Sequence, residues 1–195
     1  MKKRTCGVAD GLLLALMILA ACQIQPAKKS PGRPTADNFG AEHGFTVQGE
    51  FLHFYTVYGG PASLGKPISR EFEADGWRVQ YFEKGRLEYH PENEPAYRVT
   101  VGWLGDLLHR RQPPVAPVQI PSRRSENARY FPDTGHTLSG DFLHYFEANG
   151  GSVRFGQPIS EPFLYYGQLV QDFQSARFLW TSHAPSPVRL DDIGR

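Results

Sequence analysis

One stretch of this chain is written twice. Leu64-Gly65-Lys66-Pro67-Ile68-Ser69, running on to Val79-Gln80-Tyr81-Phe82-Glu83-Lys84-Gly85-Arg86-Leu87-Glu88-Tyr89, returns as Phe155-Gly156-Gln157-Pro158-Ile159-Ser160, running on to Val170-Gln171-Asp172-Phe173-Gln174-Ser175-Ala176-Arg177-Phe178-Leu179-Trp180. The spacing is 91 residues from Gly65 to Gly156, from Pro67 to Pro158 and from Arg86 to Arg177, so the two versions align without a gap. The same offset pairs Gly49-Glu50-Phe51-Leu52-His53 with Gly140-Asp141-Phe142-Leu143-His144, and Gly59-Gly60 with Gly150-Gly151. Two copies of one unit imply either a pair of small domains or a single pseudo-symmetric one.

The unit reads as α+β. In the second copy Phe142, Leu143 and Phe146 share one helical face, with Ser139 placed to cap the start and Asn149-Gly150 to end it. The Gly-x-Pro segment cannot be regular helix or central strand, because glycine frees the backbone while proline fixes φ and removes a donor. Trp77–Phe82 alternates as a strand, and Gly85 offers a left-handed turn residue before 86–90 returns as its partner. Ala176 stands where Gly85 does, so the second hairpin must turn differently or tolerate a Cβ. Residues 97–101 add a strand, and 103–111 is a helical candidate that the second copy lacks.

The expected organisation is therefore two tandem homologous repeats, each a short helix, a Gly-x-Pro turn and a β-hairpin or small antiparallel sheet. Repeat 1 covers 38–111 and repeat 2 covers 128–195. Between them, 112–127 carries Pro113, Pro114, Pro117 and Pro121 and reads as a stiff linker.

The first segment is an address. Met1-Lys2-Lys3-Arg4 is a basic n-region, and residues 11–21 form an apolar run too short to span a bilayer comfortably. Its end, Leu19-Ala20-Ala21-Cys22, resembles the lipobox of bacterial lipoproteins. That resemblance implies a signal peptide over 1–22, a palmitate-type lipid on Cys22 and a stable anchor in the outer leaflet without a membrane span. Localisation is then the extracytoplasmic face of the cell membrane. Residues 23–37 are polar, broken by Pro and Gly, and read as a flexible tether.

Formal net charge is +1, from 21 basic and 20 acidic side chains, which gives no field for gripping a phosphate backbone; nucleic acid is not an expected partner. Cys6 lies in the discarded segment, so no disulfide framework is expected.

Leu64-Gly65-Lys66-Pro67, Glu71, Gly76, Phe82, Gly85 and Tyr89, with Phe155-Gly156-Gln157-Pro158, Glu161, Gly167 and Phe173, resemble the LGFP-type repeats of bacterial cell-surface proteins. The resemblance implies attachment to the cell envelope or glycan contact. Ala176 and Trp180 depart from the Gly and Tyr of that pattern.

Few residues are spaced for chemistry. Glu50 with His53, and Asp141 with His144, have a spacing that can share a metal, but no third ligand recurs with them. Ser69 and Ser160 read as turn-capping hydroxyls. Arg86 and Arg177 are placed to pair with Glu71 and Glu161 or to stack on a ring. No cofactor and no metal is expected. The candidate ligand-binding residues are the hairpin aromatics and arginines: Trp77, Tyr81, Arg86, Tyr89, Tyr165, Tyr166, Arg177 and Trp180. The expected function is a lipid-anchored envelope protein whose non-catalytic repeats bind cell-wall glycan or a surface protein. The alternatives are an envelope hydrolase with its site between the repeats, and pure spacers.

Overall fold

The computed structural model describes residues 44–122 and 125–195. Cys22, the lipobox, the signal segment and the tether lie outside the described residues.

The chain enters at Val47, fully buried, and turns into helix α1 (Gly49–Val57), which buries Phe51 and Tyr55. A second short helix, α2 (Gly60–Leu64), ends on the Gly65 turn. Four antiparallel strands follow in sequence order: β1 (Phe72–Ala74), β2 (Trp77–Phe82), β3 (Gly85–Tyr89) and β4 (Val99–Val101). A 3-10 turn at Pro95–Tyr97 leads into β4, and a single helical turn, α3 (Leu104–Leu107), follows it. The chain then runs through a proline-rich segment to a two-stranded ribbon, β5 (Ala128–Phe131) and β6 (His136–Ser139). Beyond it come helices α4 (Gly140–Ala148) and α5 (Gly151–Phe155), then strands β7 (Phe163–Tyr165), β8 (Gln168–Asp172), β9 (Arg177–Trp180) and β10 (Val188–Leu190). These last four form a second antiparallel sheet, again ordered as in the sequence. Helices on antiparallel sheets make the fold α+β.

Contacts recur 91 residues apart. The buried Gln80 donates from Nε2 to Thr46 O and Ser69 O; Gln171 donates likewise to Thr137 O and Ser160 O. The Ser69 hydroxyl accepts from Tyr81 N and the Ser160 hydroxyl from Asp172 N, both at 2.9 Å, so both serines tie a turn to a strand as their sequence position suggests. Pro67 bridges Phe82, and Pro158 bridges Phe173. Gly65 (φ 76, ψ −168) and Gly156 (φ 68, ψ −168) occupy a backbone region open essentially to glycine alone, which is why this residue stands at both turns.

Each half carries its own core. Phe51, Tyr55, Leu64, Phe82 and Leu87 fill the first; Phe142, Phe146, Phe155, Phe173 and Phe178 form the second, with Phe155 and Phe178 edge to face at 4.8 Å. All described residues nevertheless fall within one compact unit, because each half also lends a segment to the other.

Several expectations are corrected. Gly85 does not have positive φ; it opens β3, and its missing Cβ leaves room for Leu64 Cδ2, which a Cβ would approach at 3.2 Å. Ala176 therefore fits the equivalent place, and the second hairpin forms. The helix over 103–111 is reduced to Leu104–Leu107, since the left-handed His109 (φ 54) breaks its continuation. Ser139 is the N-cap residue of α4, but its side chain makes no capping hydrogen bond. The first part of the expected linker is docked: Gln112 N donates to Ile159 O at 2.8 Å, Val115 N donates to Gly135 O at 2.9 Å, and the buried His136 sits 3.1 Å from Gln112 O through Nε2.

Candidate functional site

The two halves meet around an apolar groove of about 260 Å³. Its floor is built from buried residues at the equivalent ends of α2 and α5, Leu64 and Phe155, together with Ala176 and Leu190. Phe54, Val99 and Val101 wall it from the first half. Tyr58 (48% exposed), Tyr97 (69%) and Val153 (87%) stand at the rim, a concentration of exposed apolar surface around a concavity. Phe54 and Tyr58 stack at 4.2 Å, which holds the first wall rigid.

The sequence places these residues for local reasons. Phe54 on α1 and Tyr58 at its C-cap lie four apart, beside the buried Phe51 and Tyr55, and so project past the core of the first half. Val99, Thr100 and Val101 line the groove from the edge strand β4.

Two cations line the groove, Lys84 from the turn after β2 and Arg154 from α5. Both are half-buried. Arg154 donates from Nη1 to Asn149 O at 3.2 Å and lies over the Phe155 ring at 4.8 Å. Burial pulls its pKa below the usual arginine value, with only the Tyr145 hydroxyl opposing that shift. Among the described residues neither cation has a carboxylate partner, and the lining holds no carboxylate, histidine or cysteine.

Three of the groove's polar side chains are already engaged within the chain. Ser63 Oγ donates to Tyr58 O, Asn149 Nδ2 donates to Tyr145 O at 2.8 Å, and Ser175 Oγ donates to Val101 O at 3.5 Å.

The residues singled out in the sequence lie elsewhere and in separate places. Arg86 and Arg177 are buried, at 3% and 4% exposure, and pair internally, so they are not presented to a ligand. Their partners are not Glu71 and Glu161. Arg86 donates to Glu88 and Asp75 and, at 3.1 Å, to the Tyr81 hydroxyl; Arg177 grips Asp172 with both Nε (2.7 Å) and Nη2 (3.0 Å). Glu71 instead lies 3.6 Å from Arg78, and Glu161 accepts from Thr137 N at 2.8 Å. Burial, joined by the Glu50 charge and opposed by Arg78, sets the Glu71 carboxyl above its ordinary pKa.

Trp77 stacks on His90 at 4.2 Å, Tyr89 lies under the Arg78 guanidinium at 4.4 Å, and Trp180 Nε1 donates to Asp141 at 2.7 Å; all three are half-buried. Only Tyr165 and Tyr166 are exposed together, edge to face at 4.6 Å on the turn between β7 and β8. Tyr81 belongs with Arg86, and Tyr165 with Arg177, 4.3 Å from its ring.

Among the described residues no group of three or more His, Cys, Asp or Glu side chains could hold a metal, and no helix is long and apolar enough to cross a membrane. No protein-family model matches the chain, and no curated protein matches it.

Proposed function

We propose that this protein is a lipid-anchored, non-catalytic binding module of the bacterial cell envelope, built from two copies of one unit, with its ligand seated between them. The observation that carries the reading is the groove itself. It is concave, apolar and lined by both halves, and it has exposed aromatic side chains at its rim. Nothing in that lining pairs a nucleophile with a base or sets two carboxylates across a cleft, which is what hydrolysis would ask of it. Cys22 would carry the lipid and hold the module at the outer face of the membrane, and a cell-surface component would be the natural source of ligand. The apolar lining favours a hydrophobic ligand over a bare glycan, because a sugar's hydroxyls would find few partners there.

Two measurements test this. Full-length chain carrying Cys22→Ser should bind the neutral fluorophore Nile red, and Val99→Phe, which narrows the groove, should lose that binding while unfolding at the same temperature as its parent. Binding unaffected by Val99→Phe would remove the groove from the account. Labelling of cells with a palmitate analogue should mark the wild type and not Cys22→Ser; equal labelling would remove the anchor.

A further inference from the structure

We propose that the groove receives an anionic amphiphile: a single acyl chain in the apolar trough and a carboxylate or phosphate met by Lys84 and Arg154. The proposal rests on the groove being the ligand site and adds the chemistry of what enters it.

Arg154 is half-buried against Phe155 with no carboxylate partner among the described residues, and Lys84 reaches the same groove with none. A cation drawn out of water without a counter-ion is unfavourable, and an incoming anion relieves that cost. The two charges come from different halves and from positions that are not equivalent. Ser175 stands 91 residues after Lys84, and Ser63 stands 91 residues before Arg154. Each half thus supplies one cation and one serine to the groove, and neither half alone would present both charges.

The apolar wall of the groove is Leu64, Phe155, Val99, Val101 and Leu190. At its edge the Ser63 and Ser175 hydroxyls and the Asn149 amide already donate to backbone carbonyls. That combination suits a hydrocarbon chain with one charged end and disfavours a ligand with many hydroxyls. At about 260 Å³ the groove falls just below the roughly 300–1,000 Å³ of typical small-molecule sites. A chain of modest length fills it, each further methylene tightening binding about fourfold until the space is used.

The test is calorimetric titration of the full-length chain carrying Cys22→Ser with decanoate, its neutral methyl ester and decanoyl glycerophosphate. Decanoate should bind at least tenfold more tightly than the ester. Lys84→Gln and Arg154→Gln should each remove most of that preference, and Arg154→Lys should keep it. The tighter of the two anions distinguishes a free fatty acid from a monoacyl phospholipid as the source. Equal affinity for acid and ester in the wild type, or a preference untouched in both Gln variants, would overturn the proposal. If Nile red binds and no anion does, the chemistry is wrong and the groove stands. If neither binds, the groove reading fails as well.

Discussion

Gly105 and Gly194 make the same contact in opposite directions between the two halves. Gly105 N donates to Gln174 O at 2.7 Å, and Gly194 N donates to Glu83 O at 2.9 Å, so the segment that closes each sheet seats on the β2–β3 or β8–β9 turn of the other half. The buried Leu104 and Ile193 precede them as matching plugs. The acceptors are 91 residues apart and the donors 89, because the loop between β9 and β10 is two residues shorter than that between β3 and β4. A Cβ at Gly105 would run into the Phe173 carbonyl oxygen, and one at Gly194 into that of Phe82.

Gly105→Ala and Gly194→Ala should therefore each destabilise the protein by roughly 1–3 kcal/mol, as over-packing does. Urea unfolding reads this as a lower midpoint. An unchanged midpoint in both variants would mean that the exchanged segments do not hold the halves together.

Gly156 of the Gly-x-Pro turn and Gly85 at the start of β3 should separate by backbone conformation. Gly156→Ala places a Cβ 2.5 Å from Gln174 Cβ at a φ of 68°, and should cost roughly 2 kcal/mol or more. Gly85→Ala needs no unusual φ and asks Leu64 to yield slightly, so it should cost under about 1 kcal/mol. Thermal melts of the two variants side by side give the comparison.

The buried Arg177–Asp172 pair should be expensive to break from one side. Asp172→Asn leaves the buried Arg177 with only the more distant Asp191 carboxylate, at 4.0 Å, removes the carboxylate 3.6 Å from Arg110, and should destabilise by about 3–5 kcal/mol. Replacing both residues together, as Asp172→Leu with Arg177→Met, should recover part of the loss, the remainder being the Arg110 guanidinium that lies 3.6 Å from Asp172. A double-mutant cycle in urea shows it.

Tyr55 supplies a pH dependence with a definite sign. Its hydroxyl donates to Gly65 O at 2.6 Å, and burial, aided by the nearby Glu83 charge, pushes its pKa up from 10.0 to about 12. The folded state thus holds the phenolic proton more tightly than the unfolded chain does. Its contribution is complete below pH 10 and falls as the pH rises towards about 12. Tyr55→Phe should lower stability by roughly 1–2 kcal/mol at neutral pH. The variant should also lose less stability than the wild type between pH 10 and 12, as measured by urea midpoints across that range.

The glycine-proline turn and the first hairpin were legible because both are local. Gly65-Lys66-Pro67 and the alternation of Trp77–Phe82 fix their own conformations. What escaped was non-local. Nothing within 102–106 or 191–195 says that each will cross to the other half, and the partners of Arg86 and Arg177 depend on strand register. Gly85 was misread because a glycine is equally compatible with a left-handed turn and with a tight approach to Leu64. The groove escaped for a further reason. Repetition draws attention to residues that recur, and those hold the units together. The groove is lined instead where the copies differ, at Tyr58 against Asn149, Ser63 against Arg154, and Lys84 against Ser175. Comparing the copies for their differences would have pointed to it.

Amide chemical shifts of the full-length chain carrying Cys22→Ser, titrated with decanoate, test the groove most directly. The shifts should concentrate at Lys84, Val99, Val101, Arg154, Ala176 and Leu190, drawn from both halves and saturating together. Changes confined to Tyr165 and Tyr166 on the β7–β8 turn, with the groove residues still, would contradict it.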